Sequence, residues 1–63
     1  MLDAVKVTFD NGNVVYSEFN ADVGREEMAR YYLGNWFNFG IVSDDMHKAV
    51  KVEFPDREGK FKP

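Results

Sequence analysis

Apolar and polar residues alternate strictly over Ala4–Phe9: Val5, Val7 and Phe9 are separated by Lys6 and Thr8. A period of two marks a strand with one buried face. The run ends at Asp10-Asn11-Gly12-Asn13, and a second β-rich run follows from Asn13 to Phe19. Asn-Gly between two such runs predicts a hairpin, because both residues tolerate positive φ. A two-residue loop would set Val14 and Tyr16 on the face of Val7 and Phe9. A three-residue loop with a glycine bulge would set Val15, Ser17 and Phe19 there instead, burying Phe19 and leaving Glu18 in water. The bulged form is the expected one, and a slip of one residue would exchange the faces.

The period changes after Asn20. Met28, Ala29, Tyr32, Leu33, Trp36 and Phe39 fall on one stripe at 100° per residue, with Glu26, Glu27 and Arg30 opposite. The spacing predicts a helix over 23–38, capped by Asn20 or Asp22 and closed by Gly40 in a left-handed cap. Gly34 would then sit in the helix interior, at a cost of about 1 kcal/mol relative to alanine. Ser43-Asp44-Asp45 suggests a short helical turn. A last strand is expected over Lys48–Phe54, with Val50, Val52 and Phe54 inward, Lys51 and Glu53 outward, and Pro55 as its stop. The order β-β-α-β predicts an α+β fold: a three-stranded antiparallel sheet in the order 2-1-3, packed on one helix. Residues 1–54 form the expected single domain, and 55–63 a flexible C-terminal tail.

A chain of 63 residues buries only about 60% of the surface its unfolded form exposes. It has no cysteine to form disulfides and a single histidine, too few ligands for structural zinc. Dense packing remains, and ten aromatic residues supply it: six Phe, three Tyr and one Trp. The net charge is −3, with the body at −4 and residues 55–63 at +1. An acidic body disfavours nucleic acid. No apolar run reaches the roughly 18 residues of a membrane span, and Met1-Leu2-Asp3-Ala4-Val5-Lys6 lacks the layout of a signal peptide. The expectation is a cytoplasmic protein with no membrane contact.

Groups for catalysis are scarce. His47 beside Asp44 and Asp45 is the one candidate base, and no thiol accompanies it. Asp10-Asn11-Gly12-Asn13 lacks the alternating ligands and closing glutamate of a calcium loop. No catalytic, cofactor or metal site is assigned, and the chain is read as a non-enzymatic protein-binding module. Two surfaces are candidates. Tyr31, Gly34, Phe37 and Asn38 lie off the expected core stripe of the helix, as exposed rings around a glycine. Val14, Val15 and Tyr16 form an apolar run on the outer edge of strand two, without the lysine or proline that usually blunts an edge. Either surface could also join two copies as a homodimer. The alternatives are a nucleic-acid-associated protein using exposed aromatics and the basic tail, and a structural homo-oligomer.

The strings Val7-Thr8-Phe9-Asp10-Asn11-Gly12, Tyr31-Tyr32-Leu33-Gly34-Asn35 with Phe37-Asn38 and Gly40, and Val52-Glu53-Phe54 resemble small proteins encoded by phages, prophages and other mobile elements. The similarity covers residues 4–54. It implies an accessory protein acting on a host or phage protein, and carries over no functional residue.

Overall fold

The hairpin at the start of the chain sets the register of everything else. In the computed structural model, which describes residues 1–61, β1 (Leu2–Phe9) and β2 (Val14–Asn20) pair antiparallel, with Val7 opposite Val15, Val5 opposite Ser17 and Asp3 opposite Phe19. The Phe9 N–H donates to the Asn13 carbonyl and the Gly12 N–H to the Phe9 carbonyl, both at 2.9 Å, and Gly12 has φ +87°. This is the three-residue loop with a left-handed glycine, and it buries Phe19 as expected.

Asn20 caps a short 3-10 turn, Ala21–Val23, its side chain accepting from the Asp22 amide. Helix α1 then spans only Arg25–Tyr32. The expected helix over 23–38 is too long, and the reason lies at Gly34-Asn35. Gly34 adopts φ +81° and donates its N–H to the Ala49 carbonyl at 2.9 Å. The Asn35 amide reaches back to the carbonyls of Arg30 and Tyr31, at 3.2 and 2.7 Å. These open carbonyls of the last helical turn are thereby satisfied without a further turn. Gly34 is therefore the helix stop, not an interior glycine, and Gly40 does not end the helix.

Beyond the stop the chain becomes β3 (Trp36–Asn38), which pairs antiparallel with β4 (Met46–Glu53). The sheet has four strands in the order β2-β1-β4-β3, in place of three in the order 2-1-3. The last strand does pair beside β1, as the sequence suggested, but it is not an edge along its first half, because β3 covers it there. Residues 41–43 form bends and 44–45 an irregular link, not the expected helical turn.

Val5, Val7, Phe9, Phe19 and Ala49 form the buried centre, with Met28, Tyr32, Phe37, Phe39, Val52 and Phe54 packed around it. Helix α1 covers one face of the sheet through Met28 and Tyr32. Two residues of the expected helical core stripe are outside: Leu33 follows the helix end, and Trp36 alternates with Phe37 on β3 and points to the open face, 57% exposed. Val50 is also outside. Thr8 faces Lys51 while Phe9 faces Ala49, so Val50 is the extra residue of a β-bulge. Ala49 takes the inward place expected of Val50, and Val52 and Phe54 keep theirs.

At the end of the sheet away from the hairpin turn, Arg25 grips Asp3 with two hydrogen bonds, 2.8 and 3.1 Å, and its guanidinium lies 5.2 Å over the Phe54 ring. Among the segment expected to be a tail, Pro55 is buried, Asp56 to Lys60 close a turn, and the Phe61 ring meets Tyr16 edge-on at 5.4 Å. Lys62 and Pro63, the last residues of that expected tail, lie outside the described residues.

Candidate binding surface

Strand β2 is one edge of the sheet, and its backbone phase follows from the hairpin. The Phe9–Asn13 hydrogen bond makes Asn13 a bonded partner of β1. In an antiparallel ladder bonded and non-bonded positions alternate. Val15, Ser17 and Phe19 therefore direct their peptide groups toward β1, and Val14, Tyr16 and Glu18 direct theirs away from the sheet. Between Val14 and Asn20 there is no proline, no lysine and no bulge. Val14 and Val15 are both exposed, and Tyr16 is 63% exposed. The three predicted residues of this surface are thus brought together on one open edge.

Beside this edge, Ala4, Tyr16, Ser17, Glu18 and Phe61 line a shallow hollow of about 240 Å³ on the open face of the sheet. The hollow was not foreseen, because the interval of 45 residues between Tyr16 and Phe61 carries no periodic signal. Its floor is Ala4, the smallest side chain on that face of β1, and Glu18 supplies a negative rim.

The second predicted surface does not survive as a helix face. Tyr31 is on the last turn of α1, Gly34 is in the turn beyond it, and Phe37 and Asn38 are on β3. Tyr31 is exposed, with its ring edge-on to Tyr32 at 4.9 Å and to Phe37 at 6.0 Å. Phe37 is half-buried and turns toward the core, 5.7 Å from Phe9. Asn38 is committed to the β3–β4 loop: its Oδ1 accepts from the Gly40 and Asp45 amides at 2.8 and 3.1 Å, and its Nδ2 donates to Asp44 at 3.0 Å. Gly34 spends its N–H on Ala49. Of these four residues only Tyr31 offers a largely free side chain. This group lies at the β3 edge, across the sheet from Val14, Val15 and Tyr16.

The polar cluster around His47 is the other chemical feature. Its Nδ1 lies 2.9 Å from Asp10 Oδ1 and its Nε2 lies 2.8 Å from Asp45 Oδ1. The hydrogen bond to Asp10 raises the His47 pKa above its ordinary value; desolvation opposes the rise, and Asp45 adds to it. Desolvation pushes the Asp10 carboxyl upward, but hydrogen bonds from His47 and from the Lys48 and Asn11 backbone outweigh it and hold the pKa below the ordinary value. Both ring nitrogens face a carboxylate oxygen, so in its protonated form the ring donates to both and presents no lone pair. Among the described residues no group of three or more His, Cys, Asp or Glu side chains is placed to hold a metal ion. Among the same residues no helix is long and apolar enough to cross a membrane.

No protein-family model, curated protein or solved structure matches this chain.

Proposed function

We propose that the chain is a protein-binding module that takes up an extended segment of a partner protein along the free edge of β2. One observation carries the reading: the outward peptide groups of Val14, Tyr16 and Glu18 sit on an edge without the proline, lysine or bulge that commonly prevents pairing. A strand added there would gain main-chain hydrogen bonds, while alternate side chains would meet Val15 on one face and Tyr16 on the other. Glu18 is the one charged residue of β2, so the preferred segment is apolar in alternation with a lysine or arginine opposite Glu18.

The test uses a displayed library of extended peptides and two proteins, the wild type and Tyr16→Pro. Proline at position 16 removes an outward N–H and leaves the bonds to β1 in place. Selected peptides should bind the wild type, protect the amides of Val14, Tyr16 and Glu18 from exchange, and lose binding to Tyr16→Pro. Peptides that bind both proteins equally, or that leave β2 amides unprotected, would defeat the reading. Self-association of the wild type that Tyr16→Pro abolishes would make a second copy the occupant.

A further inference from the structure

We propose that Asp10, His47 and Asp45 form a proton-operated clasp, which ties the β1–β2 turn to the β3–β4 loop and opens when the imidazole loses its proton. The geometry carries the idea. A neutral imidazole has one N–H and one lone pair, whereas here a carboxylate oxygen faces each ring nitrogen, at 2.9 and 2.8 Å. Only the imidazolium can donate to both. Removing one proton leaves a lone pair directed at a carboxylate, and one of the two links must part.

The partners come from separate elements. Asp10 belongs to the hairpin turn, where its N–H also donates to the Lys48 carbonyl at 2.9 Å. Asp45 belongs to the loop, 35 residues further along, whose Phe39 N–H donates to the Asp45 carbonyl at 3.0 Å. The ring is held edge-on to Phe39 at 5.7 Å and its side chain is only 21% exposed. The other groups around it are settled. Phe37 is its uncharged neighbour on β3, Asp44 is engaged by the Asn38 amide, and Lys48, adjacent on β4, alternates to the opposite face. Every titratable side chain bonded to the ring is an acid, so the surroundings favour the cation. The folded pKa of His47 is raised, so the clasp is fully closed below the ordinary His value of 6.5 and opens as pH rises through the higher folded value. At the acid end the lowered Asp10 pKa extends the closed range below the ordinary carboxylate value. The loop that Asp45 belongs to stays held by Asn38 and bears Ile41 and Val42, both fully exposed. A change of pH therefore acts on its tie to the β1–β2 turn.

His47 is the one histidine of the chain, so its ring resonances are unambiguous by NMR. The experiment is a pH titration of the His47 ring and the backbone amides in the wild type, Asp10→Asn and Asp45→Asn. At pH 6 both ring nitrogens should carry protons. The titration midpoint should lie above that of the urea-unfolded chain, and each variant should lower it. Amides of residues 39–45 and 10–13 should move with the wild-type midpoint, while Asp3 and Arg25 stay still. A midpoint at or below that of the unfolded chain, an unchanged midpoint in both variants, or loop amides indifferent to the ring would each overturn the clasp.

Discussion

Replacing Phe9 by leucine tests whether β3 is held to the sheet by ring contacts. Phe9 is 4% exposed and meets Phe37 at 5.7 Å and Phe39 at 4.6 Å, both edge-on. Each such contact is worth about 0.5–1.5 kcal/mol beyond area burial. Leucine keeps most of the volume and loses both, so Phe9→Leu should cost about 1–3 kcal/mol. A chain of this length has roughly 3–9 kcal/mol in total, at ~0.05–0.15 kcal/mol per residue, and the substitution removes a large share. Urea unfolding followed by far-UV circular dichroism should show the midpoint falling by roughly 1–3 M, for a slope near 1 kcal/mol/M. The double variant with Phe37→Leu should cost less than the sum of the singles by about 0.5–1.5 kcal/mol, because both singles remove the same contact. A cost below about 0.5 kcal/mol for Phe9→Leu, or strict additivity of the pair, would show that the rings do not carry the β3 attachment.

Three further outcomes follow from the fold. Gly34→Ala should destabilise the domain by about 1–2 kcal/mol, measured by the same urea titration, because space is open around a Cβ there and the cost is the positive φ alone; no loss would mean the helix does not stop at that turn. Trp36 should be quenched by acrylamide nearly as well in the folded protein as in urea, since it faces the open side of the sheet; strong protection would return it to the core. Arg25→Lys breaks the fork on Asp3 and the stacking over Phe54. The Asp3 pKa is lowered chiefly by the Arg25 hydrogen bond, so this contact stabilises the fold above the ordinary carboxylate pKa and is lost as pH falls through the folded value. The variant should therefore be weaker than wild type at neutral pH, with the gap closing in acid; a gap constant with pH would assign the loss to packing alone.

The parts of the fold legible in the sequence are those fixed by local chemistry. Asp10-Asn11-Gly12 sets the hairpin and its register by the φ that glycine alone tolerates cheaply, and Val5, Val7 and Phe9 alternate without interruption. The 3.6-residue stripe runs past the true helix end for a physical reason. Tyr32, Trp36 and Phe39 satisfy a 3.6-residue stripe, but Trp36 and Phe37 satisfy a strand equally well, and aromatics favour strands. The deciding signal was Gly34-Asn35, a residue that accepts positive φ followed by one whose amide can cap carbonyls. On the binding side, the β2 edge was readable because it depends on neighbouring residues and the missing lysine. The clasp was not: nothing local pairs Asp10 with a histidine 37 positions away.

Strand β4 has one more residue than its partner needs. With Val50 removed, Ala49 would still face Phe9 and Lys51 would still face Thr8, so every side chain of both halves would stay on its own side of the sheet. Loss of one residue away from the bulge would put the two halves of the strand out of phase. A chain with this fold can therefore shorten at position 50, trading local twist for a regular ladder, without exchanging inside for outside.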